Sequence, residues 1–307
     1  MISAPTFLAG SIVAEIALQE VATPSVANLP TLLSLLEGGF LVLSTLLLAH
    51  TAFQARRPQS ALRLVGAPDR RHHFGEEAVV VIVAVYLSAA GVASVLVSRH
   101  ANPSENPLAS LLIGMTAHGS GMAACLLTAR WRCEGGVPGF VLGEDRRAAG
   151  RHIRLAVILS VVAVGFCPLI HHVTVAVIRF VDPTFSPSAH PTINALHDAQ
   201  TGTVLTILFW SSAMVTAPIA EELFFRGVLQ SFLTALLRSR WRGIALSALC
   251  FGLVHMPQPH AIPALVFLGL VIGYAYERTG SLVPPILMHM LFNLKTLVWD
   301  SLGAGSP

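Results

Sequence analysis

This sequence has few charged residues, and its cysteines are not spaced as pairs. Only 11% of its 307 residues are charged, whereas an average soluble domain is about 25% charged. This scarcity excludes a soluble globular enzyme, a disordered chain and a coiled coil. The cysteines form no CxxC pair and show no disulfide-type spacing, and we interpret them as small buried hydrophobic residues. They are Cys125, Cys133, Cys167 and Cys250.

Net charge is also low, at +3. This excess is too small to indicate a nucleic-acid partner. The basic residues are 18 arginines and one lysine, Lys295. Most arginines lie in clusters between apolar runs, where basic residues set the orientation of membrane spans.

What the chain has instead is long apolar runs. Hydrophobic residues make up 54% of it, and its mean hydropathy is +0.69. About 20 consecutive apolar residues cross a bilayer as a helix, and eight candidate spans lie near 31–53, 77–98, 107–129, 153–180, 202–237, 243–256, 262–277 and 282–299. The fold class is therefore all-α, a polytopic transmembrane helical bundle. We expect an integral multi-pass protein of the lipid bilayer, in the plasma membrane of a prokaryote.

The connections between these runs alternate in arginine content. Residues 54–76, 130–154 and 238–242 are rich in arginine, whereas 181–201 and 257–261 contain none. This alternation predicts cytoplasmic arginine-rich loops, with both termini outside. Upstream of the first span, residues 5–22 are apolar but carry two glutamates, and we interpret them as an interfacial or re-entrant segment.

One candidate span, 202–237, is too long for a simple crossing. Its 36 residues would form a helix of about 54 Å, longer than a hydrocarbon core of about 30 Å. Pro218 lies in its middle and has no backbone N–H to donate. We therefore predict a break, with a second helix that begins near Thr216–Pro218.

Three charged residues occur together inside that run, in the segment AEELFFRG. Charges at the bilayer centre are costly and usually paired. Glu222 and Arg226 are four residues apart and can pair on one helix face, which leaves Glu221 without a local partner. One interpretation is an interfacial salt bridge at a helix end; the other is a functional site.

Two later helices favour the functional interpretation. Phe251 and His255 lie four residues apart on one helix, and His289 and Asn293 do so on another. Residues with this spacing share a helix face. Glu221, the two imidazoles and the amide could therefore project into one intramembrane cavity, orient a water, remove its proton and stabilise an oxyanion.

These three blocks resemble the signature of the CPBP family of intramembrane proteases, also called the Abi family. The family includes CaaX prenyl endopeptidases and bacteriocin-processing or immunity-type proteins, and its motifs are EExxxR, FxxxH and HxxxN. Here they read Glu221-Glu222-Leu-Phe-Phe-Arg226, Phe251-Gly-Leu-Val-His255 and His289-Met-Leu-Phe-Asn293. The resemblance covers about residues 202–299. It divides the membrane domain into N-terminal helices without a signature, 1–200, and catalytic helices, 201–307.

The resemblance implies a role for each motif residue. Glu221 would be the general base that activates water, and His255 would position that water. His289 and Asn293 would polarise the scissile carbonyl and hold the oxyanion. The supporting residues would be Glu222 and Arg226, which brace the site as a pair, and Phe251, which packs there.

The resemblance also implies an enzyme that works without a metal or another cofactor. One glutamate and two histidines, Glu221, His255 and His289, could in principle hold zinc with an open position. However, the HExxH motif of zinc proteases is absent. We therefore expect a metal-independent, glutamate-type endopeptidase.

Its expected partner is a membrane-associated peptide or protein, of the prenylated CaaX type or another kind. The alternative is a non-proteolytic scaffold or bacteriocin-immunity protein on the same fold. A transporter with an intramembrane proton relay is a third hypothesis, although the chain lacks the repeated halves that many transporters show.

Two other ionisable residues within apolar spans do not belong to the three motifs. Glu37 interrupts the first span beside two glycines, and we interpret it as a packing hydrogen-bonder. His118 lies among small residues that suit close helix packing, and we expect it to be structural.

Overall fold

The computed structural model describes residues 29–55, 64, 74–103, 105–143, 149–187 and 202–302. These residues form helices and no strand, which confirms the all-α prediction. The helices are α1 (Leu29–Ala55), α2 (Glu76–Ser98), α3 (Pro107–Arg132), α4 (Gly136–Leu142), α5 (Ala149–Val181), α6 (Thr203–Leu237), α7 (Arg240–Leu253), α8 (Ile262–Thr279) and α9 (Val283–Ser301). The predicted interfacial segment 5–22 lies outside the described residues.

Six of the described helical segments are long and apolar enough to cross a membrane. They comprise α1, α2, α3, α5, α6 and the segment Pro259–Thr279, which contains α8. The other two predicted spans are also helical. However, α7 has 14 residues and is only about 21 Å long, and the 19 residues of α9 include several polar side chains. The chain is an integral multi-pass membrane protein.

Apolar side chains cover the outside of the bundle, and small residues lie where helices meet. Leu35, Val80 and Val177 are each at least 60% exposed, as expected for side chains that face lipid. At Gly165 of α5, an added Cβ would lie only 2.7 Å from the carbonyl oxygen of Phe40 in α1. Glycine therefore permits the close approach of these two helices.

Arginine-bearing turns meet at one end of the bundle. The Arg132 guanidinium at the end of α3 lies 2.8 Å from Glu77 at the start of α2. At the start of α7, Arg240 Nη1 lies 3.8 Å from Glu277 Oε2 near the end of α8. We call this the arginine end.

Aromatic side chains and imidazoles meet at the opposite end, which we call the histidine end. The His260 ring, between α7 and α8, lies 5.3 Å from the ring of His171 in α5. It also lies 5.8 Å from the ring of Phe185, which follows α5. In the described part of the chain, the arginine-bearing connections after α3 and before α7 therefore lie at one end of the bundle, and the arginine-free connection between α7 and α8 lies at the other.

Helix α6 differs from its prediction at Pro218. An α-helical segment does begin at Ala217, but the backbone remains helical through the expected break. The π-helical segment Ser212–Thr216 leads into it, and a second, Leu223–Gln230, follows Glu222. A proline removes one helix hydrogen bond and clashes with the preceding turn. The wider π turn accommodates the ring without ending the helix, because it shifts hydrogen bonding by one residue.

Candidate active site

A fully buried ion pair lies at the centre of the site. Arg226 Nη1 donates to Glu222 Oε1 at 2.9 Å, and the two side chains are 1% and 0% exposed. This is the pair that the i,i+4 spacing predicted. Arg226 Nη2 also donates to the carbonyl oxygen of Gly269 in α8, at 3.4 Å. The pair thus fixes α6 against α8.

His289 of α9 joins this pair. Its Nδ1 lies 2.8 Å from the same Glu222 Oε1 that accepts from Arg226. An ionised carboxylate only accepts hydrogen bonds, so Nδ1 carries the hydrogen of this contact. The imidazole Nε2 then points away from Glu222, and it lies 4.0 Å from Oε2 of Glu221.

The ring of Phe251 in α7 lies close to three site residues: Arg226, His255 and His289. The guanidinium carbon of Arg226 lies 4.5 Å from the centre of its ring. The rings of His255 and His289 lie 5.3 and 5.6 Å away, both edge-on. The face of an aromatic ring attracts a cation, so the fully buried Phe251 helps to fix Arg226 in addition to filling space.

Glu221 occupies a different environment from its neighbour Glu222. Its side chain is 21% exposed, and no hydrogen bond to its Oε2 exists among the described residues. An imidazole flanks each oxygen, with His118 Nε2 4.0 Å from Oε1 and His289 Nε2 4.0 Å from Oε2. Both distances exceed a direct hydrogen bond, and a bridging water suits such a separation.

His255 extends from the C-terminal end of α7. Its Nδ1 lies 2.9 Å from the carbonyl oxygen of Phe251, one turn earlier. A carbonyl oxygen accepts, so Nδ1 donates and the other ring nitrogen keeps its lone pair in a neutral imidazole. That nitrogen can accept a hydrogen bond from water.

Asn293 has a partner that the sequence did not suggest. Its Nδ2 donates to the carbonyl oxygen of Ala213, at 2.8 Å. In the adjacent π turn, the Ala217 N–H bonds to the Ser212 carbonyl five residues back. In the same register, an N–H at position 218 would donate to the Ala213 carbonyl oxygen, but Pro218 has no N–H. The Asn293 amide therefore supplies the donor that the proline lacks, and keeps its second N–H.

The structure links five of the predicted site residues by direct contacts: Glu222, Arg226, Phe251, His255 and His289. Glu221 lies 4.0 Å from His289, and Asn293 contacts the Ala213 carbonyl oxygen of α6. Helix α6 supplies Glu221, Glu222 and Arg226, α7 supplies Phe251, with His255 just beyond its end, and α9 supplies His289 and Asn293. His118 of α3 was predicted to be structural, and it is the residue that sequence reasoning missed. The only signal was an ionisable residue inside an apolar run, because a histidine 103 positions upstream shares no periodicity with Glu221.

The arrangement of possible metal ligands is the next feature of the described part of the chain. There, no three histidine, cysteine, aspartate or glutamate side chains form a group suited to a metal ion. The set considered from the sequence, Glu221, His255 and His289, is therefore not arranged as such a group. Nδ1 of His289 is already engaged by Glu222.

Comparisons with known proteins find similarity in the region that contains the three motifs. Residues 203–295 match the family model described as Type II CAAX prenyl endopeptidase Rce1-like. An uncharacterized 24.3 kDa protein from Escherichia coli is 31% identical over 90 residues, which are 28% of this chain and 40% of that protein. No solved structure matches significantly. The matched region contains all seven predicted site residues, whereas His118 lies outside it.

Proposed function

Because residues 203–295 carry the Type II CAAX prenyl endopeptidase Rce1-like family region, we propose that the chain hydrolyses peptide bonds in membrane-associated substrates by a glutamate-activated water. One observation carries the assignment of the base. Of two adjacent glutamates, Glu222 is buried and held by Arg226 and His289, whereas Glu221 is partly exposed. A general base must be free to exchange a proton with water.

The reaction would begin when Glu221 removes a proton from a water that His255 Nε2 helps to orient. The resulting hydroxide attacks the scissile carbonyl carbon, and the carbonyl electrons move onto oxygen to form a tetrahedral oxyanion. Glu221 then returns the proton to the leaving amine nitrogen as the C–N bond breaks. In this sequence the carboxylate acts first as base and then as acid.

The oxyanion would be stabilised by donors from α9. An imidazolium form of His289 has two N–H donors. Such an imidazolium donates from Nδ1 to Glu222 and presents Nε2–H to the substrate. The second N–H of Asn293 is the other candidate donor. Loss of one such donor typically costs about 100- to 1,000-fold in kcat.

The substrate would be a peptide or protein whose scissile bond enters the membrane-embedded site. The described connections between helices are short, so the helices themselves must provide specificity. A prenylated C-terminal CaaX segment is the substrate that the family description suggests, and a lipid-free membrane peptide is the other candidate.

The assay compares peptide termini in membranes of cells that produce the wild type or Glu221→Gln at equal levels. We expect new termini with the wild type only, and their sequences would define the substrate class. Equal termini in both membranes would contradict the proposal and favour a scaffold or immunity protein on the same fold. Substrate-derived peptides with and without a prenyl group would then separate the two substrate candidates.

Metal independence is part of the proposal and has its own test. Cleavage by the purified protein should survive prolonged dialysis against a chelator. Loss of cleavage that zinc restores would contradict the proposed role of Glu221 as the direct activator of water.

A further inference from the structure

His118 stands beside the proposed base, although it belongs to a different part of the chain. It lies on α3, outside the segment that matches the protease family. Its Nε2 is 4.0 Å from Oε1 of Glu221, and its side chain is 20% exposed. Its Nδ1 is buried and makes no hydrogen bond to any described residue.

The position of His118 is fixed by its neighbours. The ring of Tyr86 on α2 packs edge-on against the imidazole, with ring centroids 5.9 Å apart. The tyrosine fits there because Gly121, one turn after His118, has no side chain. A Cβ at Gly121 would lie 3.0 Å from Cδ2 of Tyr86. Gly121 thus leaves room for Tyr86 to pack against the His118 ring.

We propose that His118 is a positioning residue for Glu221, so that the proposed base lies between two imidazoles. His118 Nε2 faces Oε1 and His289 Nε2 faces Oε2. With a hydrogen on Nε2, His118 donates to Oε1 directly after a small side-chain movement, or through one water. Anchored at Oε1, the carboxylate keeps Oε2 directed at His289 and at the attacking water.

The consequence for catalysis rests on the proposed function. A base held in its productive orientation reacts faster than one that rotates freely. Loss of His118 should therefore lower kcat and leave KM nearly unchanged, because His118 acts through Glu221. The groups near Glu221 that ionise or carry charge are His118, Tyr86, His289, Glu222 and Arg226, and only the first is altered in the test.

The variants are chosen to separate hydrogen bonding from packing. His118→Phe keeps an aromatic ring against Tyr86 but removes the donor, and we expect at least a tenfold loss of kcat. His118→Gln places an amide N–H near the position of Nε2, and it should recover much of that loss.

His172→Phe is the matched control, because His172 is an exposed histidine of α5 outside the site. Its kcat should stay within twofold of wild type. If His118→Phe retains the wild-type kcat per folded molecule, the proposal is wrong. The same holds if His118→Phe and His118→Gln lose equal activity, since packing alone would then explain the loss.

A second measurement requires no catalytic activity. Dicyclohexylcarbodiimide modifies carboxyl groups within membranes, and mass spectrometry can quantify the modified Glu221 peptide. His118→Phe should change the rate of Glu221 modification at least threefold, whereas His172→Phe should not. An unchanged rate would overturn the positioning role. A changed rate without any Glu221-dependent cleavage would support the positioning role and contradict the proposed function instead.

Discussion

Two adjacent glutamates of identical chemistry have opposite surroundings in this protein. Glu222 is fully buried and holds two donors on one oxygen, while Glu221 is partly exposed between two imidazoles. Neighbouring positions on a helix point in directions about 100° apart. That difference directs the Glu222 carboxylate into the helix interface and leaves the Glu221 side chain partly exposed. Residue identity alone therefore does not predict which glutamate is buried and which is partly exposed.

Substitution of the two glutamates should therefore affect different properties. Glu221→Ala should abolish activity but unfold at nearly the wild-type temperature. Glu222→Ala should retain partial activity but lose stability, because it leaves the buried Arg226 charge unpaired, a loss of about 3–5 kcal/mol. Thermal unfolding in detergent and the cleavage assay measure both effects. His255→Ala and His289→Ala should be nearly as inactive as Glu221→Ala.

The double variant Glu222→Ala/Arg226→Met provides the control for charge. Removing both members of a buried ion pair costs less than removing one, so the double variant should be more stable than Glu222→Ala alone. A double variant that is less stable would show that the pair acts through packing rather than through charge.

The structure of helix α6 could be predicted from the sequence only in part. Its length and Pro218 correctly indicated an irregularity, and the i,i+4 spacing correctly paired Glu222 with Arg226. The form of the irregularity could not be predicted, because it depends on Asn293 of a different helix, 80 positions away. Local patterns report local geometry, whereas the donor that replaces a missing N–H comes from tertiary packing.

This interpretation of α6 predicts that substitutions at Pro218 and Asn293 have non-additive effects on stability. Asn293→Ala leaves the part-buried Ala213 carbonyl without its side-chain donor, and loss of such a hydrogen bond costs about 0.5–1.5 kcal/mol. Pro218→Ala supplies a backbone N–H in the π register. Asn293→Ala should therefore cost less stability in the Pro218→Ala background than in wild type.

A double-mutant cycle of thermal unfolding in detergent measures this coupling. Equal costs of Asn293→Ala in both backgrounds would contradict the donor replacement. Activity provides a separate measurement: if Asn293 also holds the oxyanion, Asn293→Ala should stay inactive even where Pro218→Ala restores stability.

The first and last described helices are also joined by charge. Lys295 Nζ of α9 donates to Glu37 Oε1 of α1, and the lysine lies 4.9 Å from the ring centre of Trp299. Glu37 was predicted to be a packing hydrogen-bonder, and its partner is the chain's single lysine. The sequence could not identify this pair, because 258 residues separate its members.

A charge exchange tests the pair. Glu37→Lys and Lys295→Glu should each lower the unfolding temperature, since each places two like charges together in an apolar setting. The double exchange should recover most of the loss. Glu37→Ala should change activity only mildly, because the pair lies outside the proposed catalytic group. Additive losses in the double exchange would contradict a pairwise interaction.

At the scale of the whole molecule, the division of the bundle into an arginine end and a histidine end predicts its orientation. Glu134 lies between α3 and α4, beside the arginine end, and Ser186 lies beside Phe185 at the histidine end. Cytoplasmic connections carry the excess of arginine, so the two residues should lie on opposite sides of the membrane. Glu134 should face the cytoplasm, and Ser186 the outside.

Cysteine labelling in whole cells tests this orientation. In a background without the four native cysteines, a membrane-impermeant maleimide should label Ser186→Cys in intact cells and Glu134→Cys only after permeabilisation. Both substitutions keep every arginine, so they leave the topological signal itself unchanged. The reverse pattern would invert the orientation, while labelling of both in intact cells would contradict the separation of the two ends.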